Sequence, residues 1–375
     1  MKLAVAQIEA VPLDLEANLR LTSEAVQAAA GRGADLVVLP ELVASGYVLD
    51  DPAIRDLAEP GDGSGRALGS WSALAQRLGV AIIGGYPELA GARLFNSVAV
   101  IDRTGTLRGG YRKLHLFRGE KQRFEPGDLG LPVFELDGVR VGVIVCYDLR
   151  FPETIRLLAI ESGAELIAVP TAWVVGFDPS ATPADARISQ VEGAIVQANL
   201  NQVFVACADL CGSGTGATFL GRSLIASPYG ESLVGPLSAA DPAVAVAEID
   251  LSEVRGAQDR GGGISPRADR RTDVYTLIRA EESSANRGEP RDSGAGSEPA
   301  LGPRVAALVQ LGALIAQGAE EAELGLGMRA ALELGASKRD LRGVLEQVPG
   351  GPSPGRAAAL RAFERVAKAR AEPRS

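Results

Sequence analysis

Short apolar runs, each closed by a turn or a polar residue, recur along the first 250 positions of the chain. Met1 to Ile8, Ala34 to Leu39, Val80 to Tyr86, Asn96 to Asp102, Leu166 to Pro170 and Gln202 to Ala208 are rich in Val, Ile, Leu and Ala, and Leu107 to Lys113 follows the turn at Thr104-Gly105. Runs of this kind read as strands, the most apolar of them buried on both faces. Val133 to Leu136 and Val139 to Val145 flank Asp137-Gly138 and predict a hairpin. Between the runs the period changes. Leu15, Leu19, Leu21, Val26 and Ala30 share helical spacing across Asp14 to Gly31, and Gly31-Arg32-Gly33 supplies a stop. Arg66 to Leu78, Phe151 to Glu161 and Ala186 to Asn201 also read as helices. Phe219 to Ser227, Ser232 to Gly235 and Ala243 to Ile249 close the series as strands. Strands that alternate with helices and then end in a strand-rich stretch predict an α/β domain with buried sheets over residues 1–280.

The pattern then breaks. Residues 281–303, EESSANRGEPRDSGAGSEPALGP, hold almost no apolar side chains and read as a flexible linker. Beyond them, Arg304 to Gln317, Glu320 to Leu334, Lys338 to Gln347 and Pro354 to Ala371 each carry helical spacing, with stops at Gly335 and Pro349-Gly350-Gly351. Residues 304–375 therefore predict a small all-α domain, marginal as an isolated monomer and suited to self-association or docking.

Composition narrows the function classes. The net charge of −9 over 375 residues, with no long basic block, argues against nucleic acid or an anionic membrane as partner. No apolar run approaches the roughly 20 residues of a membrane span, and the first residues read as a strand rather than a signal peptide. Three cysteines (Cys146, Cys207, Cys211) form neither a disulfide framework nor a zinc pattern, which places the protein in a reducing cytoplasm. There is one histidine, His115, and no clustered thiols, while transition metals usually want imidazole or clustered thiolates.

The stretch VRVGVIVCYDLRFPE, Val139 to Glu153, carries the candidate chemistry. It reads as a buried strand ending at Cys146, which places a thiol at a bend beside the backbone N–H of Tyr147. A nucleophile next to an N–H donor suits acyl transfer. Two more groups stand at the ends of apparent strands: Glu41 in Pro40-Glu41-Leu42, and Lys113 among apolar neighbours in YRKLHLF. Ligands bind at the carboxyl ends of strands in open α/β sheets. Convergence there would supply a base in Glu41, an oxyanion partner in Lys113 and a nucleophile in Cys146, with Lys113 also favouring the thiolate. Glu120 is placed to position a substrate amide or tune Lys113.

PEL at Glu41, YRKLHLF at Lys113, GEKQRFEPG at Glu120, VCYDLRFPE at Cys146 and PTAW at Pro170 to Trp173, in that order, resemble the nitrilase superfamily of carbon–nitrogen hydrolases. The resemblance runs from Met1 to about Val254. It implies a four-layer αββα sandwich, usually dimeric, with a Glu41-Lys113-Cys146 triad, Glu120 as accessory glutamate, and no metal or cofactor. It leaves His115 without a catalytic role. Tyr147-Asp148 after the cysteine resembles the amidase-like branches, where true nitrilases usually carry Trp-Glu. The family's Arg-Ala-x-Glu-Asn helix end is here Gln197-Ala198-Asn199-Leu200-Asn201. The helical tail, from Glu323-Leu324-Gly325-Leu326-Gly327-Met328 onward, resembles the carboxymuconolactone decarboxylase family. It departs at the positions that usually hold an acid and a histidine, here Gly325 and Gly327, and at the turn Pro349-Gly350-Gly351-Pro352. A catalytically dead module, kept for assembly or for shaping the active-site mouth, is the expectation.

The reading is a thiol-dependent hydrolase of a non-peptide linear amide C–N bond, releasing ammonia through a cysteine thioester, with ω-amides of carboxylic acids among the candidate substrates. Tyr147, Trp173 and Tyr47 are candidates for oxyanion or substrate binding, and Arg150 and Arg187 for a substrate carboxylate; both arginines read equally as structural ion-pair residues. The expected partners are a small-molecule amide and further copies of the chain. The rivals are an N-carbamoyl amino acid hydrolase, a nitrilase, a Cys-His hydrolase using His115 and a non-catalytic assembly protein.

Overall fold

The computed structural model describes residues 1–49, 52–176, 189–214, 216–277, 307–308, 311, 314–315, 320–333, 341, 344–345 and 358–363. The chain divides into two compact units, Met1–Arg287 and Gly288–Ser375. The predicted linker, residues 281–303, lies outside the described residues.

The first unit opens with β1 (Lys2–Gln7), α1 (Leu15–Gly31), β2 (Leu36–Val38), α2 (Arg66–Leu78) and β3 (Ala81–Ala90). β4 (Arg93–Ile101) and β5 (Leu107–Arg112) follow as antiparallel neighbours. β6 (Val133–Leu136), β7 (Val139–Val143), α3 (Pro152–Arg156), β8 (Leu166–Thr171), α4 (Gln190–Asn201) and β9 (Phe204–Asp209) repeat the scheme. A short hairpin, β10 (Ser213–Gly214) and β11 (Ala217–Thr218), precedes β12 (Leu224–Ala226), β13 (Ser232–Val234), β14 (Ala243–Glu248) and α5 (Ser252–Gln258).

Two six-stranded sheets result, in the orders β14-β1-β2-β3-β4-β5 and β13-β12-β9-β8-β7-β6. The centre of each is parallel and its edges are antiparallel. Alternation along the strands sorts side chains between layers. Leu3, Val5, Leu36, Val38 and Ile83 point into the core shared with the second sheet. Ala4, Ala6, Val37 and Ile82 point outward to a second core with Val26 and Ala29 of α1 and Trp71 and Leu74 of α2. Ile155 of α3 and Ala194 and Ala198 of α4 cover the other sheet. The layering is helix, sheet, sheet, helix, the αββα sandwich that the family resemblance implies.

Local differences from the sequence reading have physical causes. β7 ends at Val143, not at Cys146. Ile144 and Val145 stay apolar because they remain in the core, while the backbone turns into the 3-10 segment Cys146–Arg150. The helix expected over Phe151 to Glu161 is α3 followed by a wider π turn, Leu157–Glu161. α4 begins at Gln190, where Ser189 and Glu192 form a capping box. The run Phe219 to Ser227 is strand only from Leu224, because Gly221 and Arg222 take positive φ.

In the second unit, α6 (Glu321–Glu333) is amphipathic and presents Leu324, Met328 and Ala331 to a core with Leu311, Ile315, Leu341, Leu345 and Ala359. Among the described residues no helix is long and apolar enough to cross a membrane.

Gly85 of β3 controls the loop after β2. Its N–H donates to Pro40 O at 3.1 Å and its carbonyl accepts from Ala44 N at 3.3 Å. A Cβ there would stand 2.5 Å from Leu42 N, 2.6 Å from Pro40 O and 2.7 Å from Glu41 Cα. Gly85→Ala is therefore expected to cost about 1–3 kcal/mol, read as a lower urea midpoint. It should also depress turnover, because the backbone that must yield carries Glu41.

Candidate active site

Glu41 follows β2, and its N–H donates across the sandwich to Thr171 O at the end of β8, at 3.3 Å. Lys113 follows β5 and continues its pairing, its N–H donating to Asn96 O at 2.9 Å. Glu120 sits in the 3-10 turn Arg118–Gln122, where Phe117 N donates to its Oε2 at 2.8 Å. The three side chains meet in the interior, at 0%, 1% and 0% exposure for Glu41, Lys113 and Glu120. Lys113 Nζ donates to Glu41 Oε1 and to Glu120 Oε1, each at 2.7 Å. Asn96 Nδ2 donates to Glu41 Oε1 at 2.7 Å, and Tyr47 OH donates to Glu120 Oε1 at 2.7 Å. Glu41 Oε2 is buried and has no hydrogen-bond partner among the described residues.

Cys146 opens its turn with φ of +46°, a left-handed conformation that a side chain rarely adopts. Asp148 holds that turn. Its carboxylate accepts from Val145 N at 3.0 Å, Tyr111 OH at 2.6 Å and His115 N at 2.9 Å, and Oδ1 faces His115 Nδ1 at 2.7 Å. The lysine-bearing segment and the cysteine-bearing turn are thus tied to one buried acid. His115, engaged by Asp148 and stacked on Phe151 with ring centroids 3.7 Å apart, is committed to this frame.

Burial pushes the Cys146 thiol well above its ordinary range. Glu41 adds to the rise and Lys113 opposes it. Lys113 favours the thiolate, as expected, but burial outweighs it and the resting group is a thiol. Burial, reinforced by Glu120 and opposed by Lys113 and Asn96, raises Glu41 to about 7. Burial disfavours the Lys113 ammonium, but Glu120 and Glu41 outweigh it and raise its pKa. The lysine stays charged, while Glu41 sits poised between its two forms near neutral pH.

Cys146, 8% exposed, reaches a cavity of about 290 Å³. Tyr147, Trp173 and Arg150 line it, together with Phe117, Leu149 and Ala172. α4 closes one side through Gln190, Gly193, Val196 and Gln197. Tyr47 is not in the wall; its hydroxyl is spent on Glu120. Arg187 and most of the loop Val174 to Asp185 lie outside the described residues. Trp173 is fixed from behind: Asp209 Oδ1 accepts from Trp173 N at 2.8 Å and from Thr171 Oγ1 at 2.7 Å. Asn96, Asp148 and Asp209 were not singled out by sequence reasoning. An asparagine within a strand, an acid beside a cysteine and an acid at a strand end carry no signal until the sheets pair and bury them. Among the described residues no cluster of three or more His, Cys, Asp and Glu is placed to hold a metal ion.

This arrangement combines a thiol at the edge of a cavity, a carboxylate oxygen without a hydrogen-bond partner among the described residues, and a buried cation. The Carbon-nitrogen hydrolase family matches residues 2–259. A nitrilase from Pyrococcus abyssi is 38% identical over 256 residues, which cover 68% of this chain and 92% of that protein. N-carbamoylputrescine amidase from Solanum lycopersicum is 33% identical over 280 residues, covering 71% and 90%. Among solved structures, a mutant of the amidase from Nesterenkonia sp. AN1, showing Michael addition of acrylamide at its active site cysteine, matches with a TM-score of 0.61 and 27% identity. That match covers 73% of this chain and 98% of the other. The matched span holds both sheets and all of Glu41, Lys113, Glu120 and Cys146, and the chain belongs to the carbon–nitrogen hydrolase family, within the nitrilase superfamily and beside its amidases.

Proposed function

We propose that the protein hydrolyses the C–N bond of a small, non-peptide linear amide and releases ammonia through a thioester on Cys146. The observation that carries this reading is Glu41 Oε2, an unpartnered carboxylate oxygen in the buried cluster beside a thiol that burial keeps protonated. As Sγ bonds to the substrate carbonyl carbon, the thiol proton passes to Glu41 and the carbonyl π electrons move onto oxygen. The transfer leaves the cluster's net charge unchanged, so a dry site accommodates it. The Lys113 ammonium and the Tyr147 N–H stabilise the oxyanion. Collapse breaks the C–N bond, and Glu41 returns the proton to the leaving amine. Glu41 then deprotonates a water that attacks the thioester, and the acid departs with the thiol restored. Glu120 and Asn96 hold Lys113 and Glu41 in register. Trp173, Tyr147 and Arg150 shape the substrate end of the cavity, and Arg150 is the candidate for a substrate carboxylate, which favours ω-amides.

An N-carbamoyl amine or N-carbamoyl amino acid is the second reading. It is favoured by the 33% identity to an N-carbamoylputrescine amidase. The chemistry is the same, with carbamate in place of carboxylate. The C-terminal unit is read as a carboxymuconolactone decarboxylase-like module that acts in assembly, with Gly325 and Gly327 in place of reactive side chains.

Ammonia release from a panel of simple amides, ω-amides, N-carbamoyl compounds and nitriles is expected from one class and not from the others. Cys146→Ala should abolish it, and Glu41→Gln should lower kcat by about 10²–10⁴-fold. Silence across the whole panel would sink the reading. The pH profile follows from Glu41, which must be ionised to accept the thiol proton. With its pKa raised to about 7, kcat/KM for an uncharged amide should fall about tenfold per pH unit below that value. A flat profile from pH 5 to 8 would exclude Glu41 as the base. Removal of residues 288–375 should change the oligomer size seen by light scattering more than it changes kcat.

A further inference from the structure

β8 and β9 run parallel and end together, with Thr171 opposite Asp209. Past Thr171 the chain leaves the sheet, and the amides of Ala172 and Trp173 lose the ladder that would have paired them. Both residues are buried, and a buried amide without a partner is costly. Asp209 supplies one partner. Its Oδ1 accepts from Trp173 N at 2.8 Å and from Thr171 Oγ1 at 2.7 Å. The other amide turns to the thiol. The backbone of Ala172 hydrogen-bonds Cys146 and favours its thiolate form, and the two residues line the same cavity. Glu41 is tied to this segment as well, since its N–H donates to Thr171 O at 3.3 Å.

Asp209 is itself anchored. Its N–H donates to Ser223 Oγ at 2.8 Å, which in turn donates to Gln7 Oε1 at 3.1 Å. The residue is fully buried, and Oδ2 has no hydrogen-bond partner among the described residues. Burial pushes its carboxyl well above the usual carboxylate range, Glu41 adding to the rise and bonds from Thr171, Trp173 and Leu210 opposing it. A leucine would fill the same volume without the cost of burying polar atoms. What only an acceptor can do here is hold two donors of one tripeptide, on either side of the residue that meets the sulfur. With residues 171 and 173 clamped, residue 172 has no freedom to turn its amide away.

We propose that Asp209 is a positioning residue for the nucleophile: by holding Thr171 and Trp173 it aims the Ala172 N–H at Cys146 Sγ, where that donor stabilises the sulfur as its proton leaves for Glu41. The proposal rests on the reading of Cys146 as nucleophile. It calls on the acceptor oxygen Oδ1 and not on a negative charge, so an amide at position 209 does the same work.

Alkylation of Cys146 by iodoacetamide in the full-length chain, followed by mass spectrometry, tests it at about pH 8, where Glu41 is ionised. This reads the sulfur whether or not any amide is turned over, which separates failure of the proposal from failure of the amidase reading. Asp209→Leu keeps the volume and removes the acceptor. It should slow alkylation about tenfold, the effect of one pKa unit on the thiolate population. Asp209→Asn keeps an acceptor for both donors and should alkylate at the wild-type rate. Thr171→Val removes one of the two bonds, should slow alkylation about threefold, and serves if Asp209→Leu fails to fold. On an amide that is turned over, kcat should fall in step with alkylation while KM holds. Unchanged alkylation in Asp209→Leu and Thr171→Val would overturn the proposal. So would an Asp209→Asn protein as slow as Asp209→Leu, since the charge and not the acceptor would then matter. A raised KM with unchanged alkylation would also overturn it, because Asp209 would then serve only the Trp173 wall.

Discussion

An ammonium group held dry between two carboxylates is the interaction on which the rest of the first unit depends. Lys113 Nζ meets Glu41 and Glu120 at equal distances, and water reaches none of the three. Desolvating such ions costs several kcal/mol each, and that cost is recovered only where the geometry is good and the remaining lone pairs are satisfied. Asn96, Tyr47 and the Phe117 N–H supply those bonds. The groups come from separate segments, so the cluster forms only when β2, β4, β5 and the turn carrying Glu120 are all in register. The cluster carries one more negative than positive charge. Burial, more than that excess, keeps the cysteine protonated at rest and lifts Glu41 to about 7, with Lys113 opposing both shifts.

The sandwich serves this cluster through two matching β-α-β-α-β halves, β1 to β3 and β7 to β9. Strands of one half end facing strands of the other. Glu41 therefore leaves β2 and hydrogen-bonds the end of β8, and Cys146 leaves β7 beside it. A reactive site between two sheets needs both to be rigid. The near-continuous apolar character of the parallel strands provides that rigidity.

Much of this is legible in the sequence. Glu41 and Cys146 stand out because each follows an apolar run, where a polar residue has no packing reason to be, and Lys113 because it closes an apparent strand just before Leu114 to Phe117. The strand and helix order is legible for the same reason, since periodicity reports which faces are buried. What escapes is whatever depends on pairing. Asn96 looks like an ordinary first residue of a strand, yet its side chain bonds Glu41 while its carbonyl fixes Lys113. Tyr47 reads as a pocket aromatic because a loop tyrosine beside an acid motif suits either task. Its hydroxyl in fact lies behind Glu120. The strand end is not legible because Ile144 and Val145 are apolar for the core's sake, and apolarity does not reveal the turn of the backbone.

Asp148 binds the cysteine turn to the segment carrying Lys113, and the turn it secures is one that an L-residue resists. A positive φ at a residue with a side chain costs on the order of 1–2 kcal/mol, and Cys146 adopts one. Glycine would sit there at ease and do nothing. At this single position, selection for a durable fold and selection for a reactive sulfur pull in opposite directions. On the proposed mechanism, drift toward greater stability would erode function first at Cys146, and Asp148 is the restraint that lets the less comfortable residue persist.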